Sequence, residues 1–296
     1  MYVVIGASGY MGAYMIKNIL EKTDEEILAV CRSPRADAGN RRVRWAACDI
    51  SDEQSVLKLN RQFLKPSPIN KVIYLAAFHH PDQVEQAPRV AWNINVTALS
   101  RFVNCADNVV SFFYPSTDSV YGEGADGRRF VESDPLHPVN RYGRDKAAAE
   151  GIVTFYQHHV VRYPFLIAPS LTKKKHFYDT IADSLLNGKT IEMFYDSYRS
   201  SLDFNTAAEL TIELAERTAN GEPIPSVINV CGDESLSKYD VGLRIADLLG
   251  CSRDLVVPIS INASSGIFKA HRAASTLMDN SLLKRILGLA EVKLTL

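Results

Sequence analysis

The sequence lacks a surplus of either charge. Its 33 lysines and arginines face 34 aspartates and glutamates, a net charge of −1. No global basic field exists to hold nucleic acid or an anionic membrane, so neither is expected as a partner. Cysteine is sparse: five residues, at 31, 48, 105, 231 and 251, with no C-x-x-C pair. An odd count without ligand spacing argues against a disulfide framework or a zinc site. No metal is therefore expected, and a reducing compartment is the simpler setting. No apolar run reaches the roughly 18 residues that a membrane helix needs. The first cationic side chain is Lys17, behind an apolar stretch, so no signal peptide is expected. A cytoplasmic location follows as the expectation. Internal repeats and low-complexity tracts are also missing.

What is present is an ordinary globular composition. The 296 residues are 46% hydrophobic and 23% charged, which excludes a disordered chain, a collagen or a coiled coil. At roughly 150 residues per domain, the length suggests two domains or one large α/β unit.

The first half alternates short β-branched runs with longer helical patterns. Strands are expected at 2–5, 27–30, 42–46, 71–75, 109–114 and 160–165, with a seventh at 227–230. Helices are expected over about 10–21, from a Ser51 cap to before Pro66, over 88–107 and over 140–158. Such alternation means crossover connections and an α/β fold: a Rossmann-type, doubly wound parallel sheet. After Pro169 the pattern loosens. The expected division is a dinucleotide-binding domain at 1–168, to which 205–232 return. A smaller, discontinuous substrate-binding part takes 169–204 and 233–296.

Gly6-Ala7-Ser8-Gly9-Tyr10-Met11-Gly12 reads G-x-x-G-x-x-G between the first strand and the first helix. Gly6 permits a tight turn, Gly9 lets backbone approach a pyrophosphate, and Gly12 lets the helix pack close. The helix N-terminus then presents N–H groups to phosphate. Dinucleotide-binding loops that take NAD usually carry an acid at the end of the second strand. Here that stretch is Cys31-Arg32-Ser33-Pro34-Arg35, without a carboxylate. Arg32, with Ser33 or Arg35, can pair with a 2′-phosphate. NADP(H) is therefore the expected cofactor, with NAD(H) the alternative. Asp49 and Ile50, after the third strand, are expected near the adenine.

Tyr142-Gly143-Arg144-Asp145-Lys146 reads Y-x-x-x-K on a helix, which puts both functional side chains on one face. A nearby ammonium stabilises a phenolate, so Lys146 is expected to lower the Tyr142 pKa into a range useful for proton exchange. Ser116-Thr117-Asp118-Ser119 follow the fifth strand, whose C-terminal end faces the ligand crevice of such sheets. Thr117 can donate to a substrate carbonyl; a turn or capping role is the alternative.

These motifs resemble the extended short-chain dehydrogenase/reductases, the NAD-dependent epimerase/dehydratase family, over nearly the whole length. The likeness includes Leu75-Ala76-Ala77, Asn95-Val96, and Glu132, Pro135 and Pro138 leading into Tyr142. Among subfamilies the dTDP-4-dehydrorhamnose reductases are most similar, through 116–118, 228–230, 234–240, 271–272 and 279–288. The resemblance implies Tyr142 as general acid, Lys146 as pKa tuner and ribose ligand, and Thr117 as carbonyl partner. It also places Leu75, Ala76, Ala77 and Asn95 at the cofactor. Asp118, Ser119, Arg199 and Arg272 fall at the substrate, the arginines against a nucleotide diphosphate. Related dehydratases carry Thr-Asp-Glu where this chain has Thr117-Asp118-Ser119, which argues against dehydration. Phe165 stands where many nucleotide-sugar enzymes have Asn, and Asp145 where Ser or Thr is usual.

The implied function is NADPH-dependent reduction of a 4-keto sugar, nucleotide-linked, by a chain that can pair as a homodimer. A 4-epimerase holding NAD tightly is the first rival. A non-catalytic NADP-binding regulator is the second. His79-His80 follow the fourth strand near the expected cleft, where they either touch substrate or lie on a solvated loop. Lys173 to His176 can attract a phosphate but read as a solvated face, and Phe194, Tyr195 and Tyr198 read as packing. His158-His159 are read as complementing a helix dipole.

Overall fold

Seven parallel strands set the frame, in the order β3-β2-β1-β4-β5-β6-β9. They are β1 (Tyr2–Ile5), β2 (Ile27–Cys31), β3 (Val43–Ala47), β4 (Asn70–Tyr74), β5 (Val109–Thr117), β6 (His159–Tyr163) and β9 (Val227–Asn229). The computed structural model describes residues 1–33, 39–125, 127–262 and 268–296. Every residue of β1, β2 and β4 is buried, as expected for strands covered on both faces. Two apolar layers do the covering. Met15, Ile19, Ala207, Leu214 and Leu283 belong to one, and Val56, Leu99, Phe102 and Val153 to the other. The winding reverses between β1 and β4, so the crevice beyond their C-terminal ends is the place for a ligand.

The helices are α1 (Tyr10–Lys22), α2 (Glu53–Leu59), α3 (Pro81–Gln86), α4 (Pro88–Trp92), α5 (Ala98–Cys105) and α6 (Arg141–Phe155) in the first part. The second part holds α7 (Phe177–Leu186), α8 (Phe204–Ala219), α9 (Lys238–Leu248) and α10 (Ser281–Leu287). Two small sheets accompany them: β7 (Ile191–Phe194) pairs in parallel with β11 (Val256–Ile259), and β8 (Tyr198–Arg199) antiparallel with β10 (Leu236–Ser237). The chain returns to the main sheet through α8 and β9. Asn205 on α8 accepts from Lys17 at 3.0 Å and Asn18 at 3.1 Å on α1, and β9 pairs with β6. A separate core of Ile181, Leu185, Met193, Val241 and Ile245 ties α7 and α9 to β7.

Several local expectations change. Asp52, not Ser51, caps α2: its carboxylate accepts from the Gln54 and Ser55 amides, while Ser51 turns its hydroxyl to Asp49. The expected helix at 88–107 contains a π-helical turn at Asn93–Thr97 and is preceded by α3. β5 runs on to Thr117, which carries its end to the crevice. His158 and His159 do not serve a helix dipole. Their rings stack on Phe112 and Phe113, 4.7 and 4.9 Å between centroids. Burial holds His158 at about 4, so it is neutral at physiological pH.

Candidate active site

The glycine loop turns the chain from β1 into α1. Gly6 adopts φ +88°, and its N–H and that of Ala7 donate to the Val30 carbonyl at 2.9 and 3.0 Å. A Cβ on Gly6 would stand 2.8 Å from the Ala76 nitrogen, and one on Gly12 2.6 Å from the Ala7 oxygen. Both positions therefore require glycine. Gly9 is the N-cap of α1, no side chain caps the helix, and its first turn carries no acid. The orphan N–H groups of that turn are left for an outside acceptor. This cradle fits a dinucleotide pyrophosphate. Ser8 is half-buried on the loop. Tyr10 goes elsewhere: its hydroxyl donates to the Lys175 carbonyl at 2.6 Å and its ring meets His176 edge-on.

Arg32 and Ser33 are exposed just beyond β2. Arg35 lies outside the described residues. Asp49 accepts from the Ser51 hydroxyl at 2.7 Å and amide at 2.9 Å. Those bonds, helped by the charge of Arg32, hold its carboxyl below the usual range. Ile50 is buried in the core beneath.

A cavity of about 440 Å³ opens at the C-terminal ends of the strands. Met11, Leu75 and Ala77 line one side; Thr117, Tyr142 and Lys146 line another. The helix carrying the last two is fixed at its start. Asn140 caps α6 by accepting from the Gly143 amide at 2.9 Å, and its own amide donates to the His271 carbonyl at 2.9 Å. A Cβ on Gly143 would stand 2.5 Å from the Ser119 oxygen, so glycine lets α6 approach that turn. Among the described residues no group hydrogen-bonds the Tyr142 hydroxyl. Lys146 is 3% exposed, donates to the Pro115 carbonyl at 2.6 Å and lies 3.9 Å above the Tyr114 ring.

The expected lowering of the Tyr142 pKa is reversed. Burial, with the Asp118 carboxylate adding to it, pushes the phenol above its ordinary value. The cost of burial falls on the lysine as well: Lys146 is pushed down to about 7, with Glu150 partly opposing. At neutral pH Tyr142 is thus a phenol, the form that can give a proton.

Thr117 has a capping role in addition to its place on the wall. Its oxygen accepts from the Ser119 amide at 3.2 Å and its hydroxyl donates to Asp118 at 3.0 Å. Asp118 also accepts from Ser119 at 3.4 Å and from Thr276, and forms an ion pair with Arg199 Nε at 3.2 Å. Arg199 also donates to the Tyr198, Ala273 and Ala274 carbonyls, and Arg272 pairs with Asp82 at 3.1 Å. Both arginines line the cavity, but each already has an internal partner.

The sequence matches one family over this whole arrangement, the RmlD substrate binding domain, across residues 1–294. The chain belongs to that family. Its fold is that of the extended short-chain dehydrogenase/reductases. Similar curated proteins include the "Probable low-salt glycan biosynthesis reductase Agl14" of Haloferax volcanii, 25% identical over 86% of this chain and 81% of that protein. Methionine adenosyltransferase 2 subunit beta of Xenopus laevis is 26% identical over 87% of this chain and 75% of that one. A solved dTDP-4-dehydrorhamnose reductase of Bacillus anthracis, in complex with NADP, superposes with TM-score 0.78 at 19% identity. The match covers 98% of this chain and 94% of that one.

Within this RmlD-family chain, Asn95 stands back from the cavity. Its amide holds both the N–H and the C=O of Phe78, at 2.7 and 3.1 Å, which fixes the Leu75-Ala76-Ala77 segment. Asp145 accepts from Asn95 at 3.3 Å rather than pairing with Lys146 or an arginine. Ala76 is half-buried, set against Gly6.

Of the two readings of His79, the structure places it at the cavity, where crowding by surrounding atoms lowers its pKa. Two features escaped the sequence reading. Lys238, first residue of α9, lines the cavity too. Behind the wall, Glu150 on α6 and Arg162 on β6 form a buried pair at 2.6 Å, each side chain 4% exposed. Ser116 donates to Glu150, and Arg162 donates to the Tyr121 hydroxyl at 2.7 Å. The pair anchors α6 to the ends of β5 and β6. A glutamate one turn after Lys146 was its only sequence signal, and alone that means little.

Proposed function

We propose that the chain is an NADPH-dependent reductase of a 4-keto sugar, carried on a nucleotide. One observation carries the reading: a Tyr142 phenol with no hydrogen-bond partner among the described residues and a buried Lys146 face one cavity beside the glycine loop. The backbone of Gly6 to Gly12 would hold the pyrophosphate, and Arg32, with no acid at the end of β2, the 2′-phosphate. NAD(H) stays possible in the same cradle. Residues 1–168 and 205–232 would serve the cofactor, and 169–204 and 233–296 the sugar. When bound, the nicotinamide supplies a hydride to the carbonyl carbon.

The chain supplies position and a proton. Tyr142, uncharged at neutral pH, donates its proton to the carbonyl oxygen as that oxygen gains charge. The phenolate left behind is stabilised when Lys146, whose pKa near 7 lets it charge in the working range, takes a proton from water, and a proton from water then restores the phenol. Thr117, held beside Tyr142 by the Ser119 amide, orients the carbonyl oxygen by turning its single hydroxyl proton from Asp118 to that oxygen. Arg199 and Arg272 shape the far wall and add positive charge there.

The test is NADPH consumption on a panel of nucleotide-linked 4-keto sugars. Turnover with NADPH exceeding NADH supports the reading, while a dTDP- and UDP-linked panel without turnover overturns it. NAD+ retained through purification would favour the 4-epimerase. A second reading draws support from a relative named as a subunit: a cofactor-binding protein that acts through a partner. Tight NADPH binding with no turnover on any sugar would favour it.

A further inference from the structure

The far wall of the cavity is built of cations set on aromatic rings. The capping box of Ser237 and Asp240 places Lys238 at the start of α9. Its Nζ lies 5.4 Å from the ring centroid of Phe165, 5.8 Å from Phe177 and 5.7 Å from Phe194. Phe194 packs on Phe268 at 5.7 Å, and the Arg272 guanidinium lies over Phe268 at 4.9 Å.

The charges there do not balance. Arg199 has Asp118 and Arg272 has Asp82. Among the described residues no carboxylate pairs with the Lys238 ammonium and no acceptor hydrogen-bonds it. Aromatic faces attract a cation, but they accept no hydrogen bond of ordinary strength and leave its three N–H donors open. Burial, then repulsion from Arg199 and Arg272, pushes the lysine down to about 8, with Asp118 opposing. A half-buried ammonium without a partner is unfavourable and is relieved by an anion.

We propose that Lys238 is a substrate-selecting residue that receives an oxyanion, phosphoryl or carboxylate, of the molecule whose carbonyl meets Tyr142. This rests on the reading of the cavity as a substrate site. It adds that Lys238 selects the substrate by the negative charge at the end away from the reacting carbon. It also assigns that charge to Lys238 in addition to the two arginines, each of which already faces a carboxylate of this chain.

The experiment is calorimetric titration of the NADPH-loaded protein with dTDP, thymidine, inorganic pyrophosphate and glucuronate. Lys238→Met keeps the apolar stem against the rings, and Lys238→Arg keeps the charge. The wild type is expected to bind at least one of the anions, and Lys238→Met to bind it about thirtyfold more weakly, the loss of a charged hydrogen bond. Lys238→Arg should recover most of that affinity, and NADPH binding should be unchanged in both. Loss confined to dTDP and pyrophosphate identifies a nucleoside diphosphate as the source of the oxyanion; loss confined to glucuronate identifies a sugar acid. Equal affinity in wild type and Lys238→Met, or no anion binding by the wild type, overturns the proposal. Turnover of keto sugars that is indifferent to Lys238 overturns it while leaving the reductase reading intact. Lys238-dependent anion binding without turnover does the reverse.

Discussion

Lys146 offers a test of the site by stability alone. Its side chain is 3% exposed and its pKa falls from 10.5 to about 7. An unfolded chain binds this proton below pH 10.5 and the native chain only below about 7, so between those values the unfolded state holds more protons and native stability rises with pH. The slope from this group is about 1.4 kcal/mol per pH unit. The full penalty is roughly 5 kcal/mol, nearly all present at about pH 6 and shrinking to roughly 2 kcal/mol at about pH 9. Lys146→Met removes the titration but leaves the Pro115 carbonyl without its donor, a loss of about 1–3 kcal/mol that does not vary with pH. The variant should therefore gain on the wild type as pH falls, by about 3 kcal/mol between pH 9 and pH 6. Urea unfolding of both proteins across that range measures the difference and cancels every other titrating group they share. A difference that stays flat with pH would refute the assignment of a strongly depressed amine.

Glu150→Gln leaves the buried Arg162 guanidinium without its counter-charge and should cost about 3–5 kcal/mol in urea or thermal unfolding. Replacing both with apolar residues of similar volume should recover much of that loss. Gly143→Ala drives a Cβ toward the Ser119 oxygen and should cost about 1–3 kcal/mol, with a larger relative fall in turnover because Tyr142 rides on the same turn. Arg32→Ala should weaken NADPH by about tenfold and leave NADH nearly unchanged, read by fluorescence titration. Equal loss for both cofactors would remove Arg32 from the 2′-phosphate.

The half of the fold that is local in sequence was readable from sequence. Tyr2–Ile5 has the bounds expected of a short, fully apolar run ahead of a glycine turn. The Tyr142-Lys146 pair was visible because a four-residue spacing on a helix fixes a shared face. Second-half elements such as α8 and α9 were blurred because their faces are set by distant partners. Asn205 reaches Lys17, and Asn140 reaches His271. The same distance hid Lys238, whose ring-lined setting draws on Phe165, Phe177 and Phe194 from three separate segments. The direction of the Tyr142 shift was misread for a different reason. Spacing shows that a lysine shares the helix face, but only the depth of burial shows that dehydration, with Asp118, sets the direction of the shift. Arg199 and Arg272 were placed at the cavity by resemblance, yet their internal partners Asp118 and Asp82 lie far away in sequence.

The most direct measurement is single-turnover reduction of a nucleotide-linked 4-keto sugar by NADPH-loaded protein, wild type against Tyr142→Phe. The substitution removes one hydroxyl that makes no internal hydrogen bond among the described residues, so fold and cofactor affinity should hold. With Tyr142 as the proton donor, the hydride step should slow by about a hundredfold to ten-thousandfold. A Tyr142→Phe protein that reduces the sugar at close to the wild-type rate would contradict the account.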